Sequence, residues 1–245
     1  MDIFEHEQQI HDDALKRAAE AYKSVPVEDY EALAKQYGKL LKQLRRATKF
    51  ADKTSIGLHE SNLDLEDKVH YDALTGIYNR RYMEESLQRI VKSSVRSGKV
   101  LSILLLDVDY FKKYNDFYGH GMGDDCLKAI AKALSGTVMR ADDFAARYGG
   151  EEFIVVLPET DEAGAELVGN LLLESVRGLC LLHEKSDIEN HVTISIGSTT
   201  VHPMRGEKYT DYIKLADEAL YLSKQNGRNR YTYKEYNKKT EGVVQ

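Results

Sequence analysis

The sequence predicts an α+β protein in two parts, a helical region over residues 1–69 and a domain over 70–236 that mixes strands with helices, followed by a flexible tail at 237–245. Three observations carry this. Before residue 70 the chain is highly charged and shows no strand-like run. Within that region a heptad seam repeats. After it, a continuous apolar run at Val100–Leu106, the run a buried central strand requires, alternates with amphipathic helical patterns.

In the first part, residues 4–22 read as a helix with Ile10, Ala14, Ala18 and Ala21 on one face, and Pro26 interrupts the chain. From about Glu28 a second helix carries Leu33, Tyr37, Leu40, Leu44, Ala47 and Ala51 at spacings of 4, 3, 4, 3 and 4, weakening through Thr54, Leu58, Ser61 and Leu65. About 40 helical residues would run roughly 60 Å. Such a rod needs a partner helix to cover its seam.

In the second part, Asp124–Leu134 and Asp161–Leu182 read as helices. Phe144–Ala146 and Phe153–Leu157 flank Gly149-Gly150 as a hairpin. Val192–Gly197 reads as a strand, Tyr209–Gln225 as the last helix, and residues 231–233 as an edge strand.

Composition narrows the function. With 42% hydrophobic residues a full core can form, and a formal net charge of -6 argues against a non-specific nucleic-acid binder. It leaves open a small phosphate ligand held by a few local cations. The two cysteines, Cys126 and Cys180, lack metal-ligand spacing, and Cys126 lies in a helical pattern that suits a buried, reduced thiol. The first residues lack the basic start and apolar run of a signal peptide, and no apolar stretch approaches the roughly 20 residues that span a bilayer. The expectation is a cytoplasmic protein with no membrane partner.

Two acidic clusters carry candidate chemistry. The apolar strand runs into Asp107-Val108-Asp109, whose acids share a face if the strand persists. Carboxylates at the end of a buried strand are costly unless paired, hydrated or metal-bound, and hard Mg²⁺ favours such oxygen ligands. On spacing alone a metal site and a solvated loop start fit equally. The second cluster, Gly149-Gly150-Glu151-Glu152-Phe153, places two glutamates after two glycines that permit close backbone approach. Taken singly it fits an exposed acidic turn.

Together with other blocks, this segment resembles the signature of the GGDEF family of diguanylate cyclases, in its Glu-Glu form. The resemblance runs over roughly residues 70–233. It includes Asp72-Ala73-Leu74-Thr75-Gly76, Asp107-Val108-Asp109-Tyr110-Phe111-Lys112, Asn115 to Asp124, Ser195-Ile196-Gly197 and Lys224-Gln225-Asn226-Gly227-Arg228-Asn229. It implies a palm-type, nucleotidyl cyclase-like domain with a βααββαβ core and a mostly antiparallel central sheet flanked by helices.

The implied activity is condensation of two GTP molecules into cyclic di-GMP with release of two pyrophosphates. By resemblance, Asp107, Glu151 and the Val108 carbonyl hold two Mg²⁺ ions per site, with Mn²⁺ as an alternative metal. Glu152 is a further acidic candidate for metal binding or proton removal. Asn115 and Asp124 match the pair that hydrogen-bonds guanine. Lys224 and Arg228 match the cations on the terminal phosphates, Lys112 assists, and the backbone at Tyr110 and Phe111 donates to phosphate oxygens. An acid at position 124 accepts from guanine N1 and N2 donors, so the resemblance implies GTP rather than ATP.

Since one domain holds one GTP, two domains must meet, and a homodimer through the heptad helix is expected. Arg140 and Asp143, in Arg140-Ala141-Asp142-Asp143, resemble the family's inhibitory Arg-x-x-Asp site for the product. The supporting arginine of many relatives is missing from the stretch at 169–172. The alternative reading is a degenerate receptor that binds GTP or cyclic di-GMP without turnover.

Overall fold

A computed structural model describes residues 3–21, 31–49 and 70–236. The chain divides into two compact units, Met1–Leu65 and Glu66–Gln245. Among the described residues no helix is long and apolar enough to cross a membrane.

In the first unit, helix α1 spans Ile3–Ala21, and residues 31–49 form helix α2. His11 of α1 stacks on Tyr37 of α2 with ring centroids 4.8 Å apart. The inward face of α1 is His11, Leu15 and Ala18, not the Ile10–Ala14–Ala18 face the spacing suggested; Ile10 and Ala14 are exposed. On α2, Leu41 is buried while Leu33, Leu40 and Leu44 of the heptad seam are exposed. The continuation of that seam from Ala51 to Leu65 lies outside the described residues.

The second unit is built on a five-stranded sheet. Its strands are β1 (Leu101–Val108), β2 (Phe144–Gly149), β3 (Glu152–Pro158), β4 (Ile194–Val201) and β5 (Tyr231–Tyr233). Their order is β2-β3-β1-β4-β5. Every pairing is antiparallel except β4 with β5. β1 lies at the centre and every one of its residues is buried, which is why its sequence is an apolar run rather than alternating, with Ser102 and Asp107 the polar exceptions.

Five helices surround the sheet: α3 (Arg80–Ser97), α4 (Phe111–Tyr118), α5 (His120–Thr137), α6 (Glu162–Arg177) and α7 (Tyr209–Gln225). The run β1-α4-α5-β2-β3-α6-β4 realises the expected βααββαβ order. One apolar cluster forms where α5 and α6 meet one sheet face, through residues such as Ile130, Leu172 and Phe153. The other forms where α3 and α7 meet the opposite face, through Leu87, Tyr212 and Ile154.

Local chemistry sets the ends of these helices. Asn79 caps α3 by accepting from the Tyr82 N–H, and Asp161 caps α6 by accepting from the Gly164 N–H. Gly119 at φ 85 separates α4 from α5, a conformation that favours glycine. α6 stops at Arg177, short of the Leu182 read from sequence. Gly197 lets α7 lie against β4, since a Cβ there would sit 1.9 Å from the Leu220 nitrogen. Cys126 is buried, and burial pushes its thiol up to about 12; Cys180 is exposed, and neither is in a disulfide.

Candidate active site

The two acidic clusters meet at one end of the central strand. Asp107 pairs across β1 and β3 with Glu152, and the Val108 N–H donates to the Glu151 carbonyl at 3.4 Å. The hairpin joining β2 to β3 turns at Gly150, whose φ of 53 is in the left-handed region. Arg147 braces the turn: its Nε and Nη2 donate to the Gly150 carbonyl at 3.0 and 2.7 Å. Its Nη1 donates to Asp72 at 3.0 Å. The acid-bearing turn is therefore tied to the opening block of the domain.

Electrostatically this is a carboxylate-rich spot short of positive charge. Burial raises Asp107 above the ordinary Asp range, Lys224 pulls it back and Asp109 adds to the rise. Burial raises Glu151 and Glu152 too, and the neighbouring Asp107 is the next cause for both. Lys224 Nζ lies 2.9 Å from Asp107 Oδ2. Among the described residues no three acidic, His or Cys side chains stand in a metal-holding group; Asp107 is turned to Lys224 instead. The donor types, carbonyl oxygen and carboxylates raised first by burial and then by one another, fit a hard divalent cation such as Mg²⁺.

The strand does not persist to Asp109, whose carboxylate nonetheless accepts from Ser195, the β4 partner of Asp107. β1 ends at Val108, and Asp109 turns into the protein, 1% exposed. Tyr110 follows at φ 54 as the residue preceding α4, whose start has no side-chain cap. The first N–H groups of a helix have no partner within it, so the start of α4 at Phe111 suits an anion. His183 Nε2 lies 3.2 Å from the Tyr110 carbonyl, which it can meet only as a donor.

The cations gather next to this turn. Arg228 sits over the Tyr110 ring at 4.5 Å, and its Nη1 donates to the Tyr110 hydroxyl at 3.2 Å. Lys113 also sits over that ring, at 4.5 Å, and pairs with Asp187 at 2.6 Å. Lys112, the lysine singled out from sequence, is exposed and has no ion-pair partner among the described residues. The signal for Lys113 was present in the phase of α4, where Phe111 and Tyr114 are buried, but the helix was not read from sequence.

Asn115 and Asp124 lie on the neighbouring helices α4 and α5. The Asn115 Oδ1 is buried without a hydrogen-bond partner. It rests over Gly123, where a Cβ would lie 1.8 Å away. Asp124 is exposed. A buried orphan acceptor beside an open carboxylate suits a ligand edge rich in N–H donors.

Arg140 and Asp143 stand apart, beyond α5. Arg140 Nη1 donates to the Thr160 hydroxyl at 2.9 Å. Asp143 Oδ1 is buried with no partner, and burial raises its pKa although Arg140 opposes this. Asp143 opens on a cleft of about 400 Å³ that is also lined by Tyr78, Tyr82, Arg89, Lys99 and Phe144. Arg177, the next basic residue beyond the 169–172 stretch, is committed elsewhere: it binds Asn229.

A family model described as "Diguanylate cyclase, GGDEF domain" matches residues 69–230. The chain belongs to the GGDEF family. It is 41% identical over 160 residues to the response regulator PleD of Caulobacter vibrioides, covering 64% of this chain and 34% of that protein. It is 38% identical over 180 residues to diguanylate cyclase A of Treponema denticola, covering 72% and 47%. The chain thus spans between a third and a half of the length of these relatives.

Among solved structures it is similar to the coiled coil and GGDEF domain of DgcB from Caulobacter crescentus in complex with c-di-GMP. The TM-score is 0.66 at 30% identity, over 76% of this chain and 98% of that one. It is also similar to the diguanylate cyclase SiaD of Pseudomonas aeruginosa, solved with its activator SiaC. That TM-score is 0.62 at 32% identity, over 94% of this chain and 86% of that one.

Proposed function

We propose that the protein is a diguanylate cyclase that joins two GTP molecules into cyclic di-GMP, releasing two pyrophosphates. The observation that carries this is the pairing of Asp107 with Glu152 and of Val108 with Glu151, which brings acids from two separate stretches to one strand end. Asp107, Glu151 and the Val108 carbonyl would hold two Mg²⁺ ions, or Mn²⁺. A metal there would lower the pKa of the attacking 3′-hydroxyl and offset charge on the α-phosphate and leaving group.

This chain's own residues then do the positioning. Asn115 and Asp124 engage the guanine edge, and a carboxylate at 124 disfavours adenine, which lacks the matching donors. Arg228 and Lys224 hold the terminal phosphates, with Lys112 free to swing toward them. The start of α4, at Tyr110 and Phe111, offers backbone N–H groups. Glu152 stands beside Asp107 as a second acid for metal binding or proton removal.

Each domain supplies half of the reaction, so the active species is a homodimer. The exposed Leu33, Leu40 and Leu44 on α2 support a helix-mediated dimer. The likeness to SiaD, reaching 94% of the chain, supports reading the N-terminal helices as the regulatory part, open to an activating protein. Product control at Arg140 and Asp143 is supported by the orphaned Asp143 oxygen and its cleft. There Arg89 offers positive charge that residues 169–172 lack, while Lys99 is paired with Glu159.

The test is chromatography of products after incubating purified protein with Mg²⁺ and either GTP or ATP. We expect cyclic di-GMP from GTP alone, no product from Asp107→Ala or Glu151→Ala, and weaker product inhibition in Arg140→Ala. No product from a verified dimer would favour a nucleotide receptor without turnover. Unchanged inhibition in Arg140→Ala would remove the control site.

A further inference from the structure

We propose that Asp109 is a positioning residue that fixes the turn at residues 226–229 and so aims Arg228 at the triphosphate, rather than a third acid of the cation site. This rests on the reading of the site as a GTP centre.

The carboxylate of Asp109 is fully committed. The Ser195 hydroxyl donates to Oδ1 at 2.7 Å. The Thr193 hydroxyl and the Asn229 N–H donate to Oδ2 at 2.8 and 3.1 Å. Its own N–H donates to the Thr193 carbonyl at 2.9 Å. With 1% of the residue exposed, ligating a metal would mean giving up buried hydrogen bonds that nothing else would satisfy.

These bonds run to a turn that needs holding. Arg228 and Asn229 have φ values of 61 and 48, a left-handed pair that non-glycine residues adopt only when their surroundings impose it. Asn229 is gripped on every polar group. Its N–H goes to Asp109 and its side-chain nitrogen donates to Glu189 at 2.7 Å. Its side-chain and backbone oxygens accept from Arg177 at 3.0 and 3.2 Å.

The result of that grip is the placement of Arg228 against the Tyr110 ring, with its Nε 4.0 Å from Asp109 Oδ1. Asp109 therefore acts from two sides. It precedes Tyr110, which carries the guanidinium, and it anchors Asn229, which follows Arg228. One buried carboxylate couples the strand end that bears Asp107 to the turn that bears the phosphate cation.

The test is a double-mutant cycle read by calorimetric titration of a non-hydrolysable GTP analogue and of GMP, both with Mg²⁺. Asp109→Asn should weaken the analogue about tenfold, as expected for a lost charge-assisted hydrogen bond. It should change GMP affinity by less than about twofold and add less than about twofold in an Arg228→Ala background. Equal loss in both backgrounds, or equal loss for GMP and the analogue, would overturn the proposal. If Asp109→Asn does not fold, Ser195→Ala provides the same readout at about threefold, with the same dependence on Arg228. A wild-type protein that does not bind the analogue overturns the GTP reading itself, whereas wild-type binding with an unaffected Asp109→Asn overturns only the positioning role.

Discussion

The ammonium group of Lys224 stands 2.9 Å from the carboxylate of Asp107, so a cation proposed for phosphate is paired with an acid proposed for metal. The pair is partly buried, with Lys224 31% and Asp107 12% exposed at their side chains. Removing the lysine leaves Asp107 uncompensated at the end of a buried strand. Lys224→Met should lower stability by about 1–2 kcal/mol, less than the roughly 3–5 kcal/mol of a fully buried pair. Saturating Mg²⁺ should close most of the gap by replacing the missing charge. Thermal unfolding of both proteins with and without Mg²⁺ checks this; a gap that ignores Mg²⁺ would count against a cation site at Asp107.

The acids also predict a pH dependence. Asp107, Glu151 and Glu152 are raised above their ordinary values of 3.8, 4.5 and 4.5, first by burial. The folded form thus holds these protons more tightly than the unfolded form. Their favourable contribution is complete below those ordinary values and is lost as pH climbs through the raised ones. Without metal, Glu151→Gln should therefore be more stable than wild type near neutral pH, by about 2 °C or more in Tm. The advantage should fade as pH falls below 4.5. A variant less stable than wild type at neutral pH would show that Glu151 is compensated in the fold.

Gly123 tests the nucleobase end of the site. A Cβ at this position would lie 1.8 Å from Asn115 Oδ1, so Gly123→Ala must displace the Asn115 amide. Because the clash is with a side chain, the helix can keep its place. GTP affinity should fall about tenfold, the loss of one well-placed hydrogen bond, with little change in Tm. Nucleotide titration and thermal unfolding together separate this from a general loss of structure.

Gly197 tests the scaffold instead. A Cβ there would meet the Leu220 nitrogen at 1.9 Å and the Ala216 carbonyl at 2.3 Å, and these backbone atoms cannot rotate away. Gly197→Ala should push α7 off β4 and cost about 3 kcal/mol or more, above the usual range for overpacking. Denaturant unfolding gives the value; a cost under about 1 kcal/mol would contradict the close helix–sheet contact.

Much of the fold was legible from sequence because its signals are local. The apolar run of β1, the Gly149-Gly150 hairpin and the periodicity of α7 each point to one element. The parts that were not legible depend on where an element ends. The reading of a strand that persists to Asp109 missed that β1 stops at Val108, so that Asp109 turns to Thr193, Ser195 and Asn229. Lys113 was not singled out because α4 spans only eight residues, too few for its phase to stand out. His183 and Asp187 sit in an irregular segment with no periodicity, so their contacts with Tyr110 and Lys113 emerge only in three dimensions.

The central claim is that Asp107 and Glu151 together hold a divalent ion beside a purine triphosphate. The most direct measurement is paramagnetic titration of Mn²⁺ into the purified protein with a non-hydrolysable GTP analogue, repeated with Asp107→Asn and Glu151→Gln. The account predicts tight Mn²⁺ binding in the wild type and its loss in each variant while both stay folded. Undiminished Mn²⁺ binding in the two variants would contradict it.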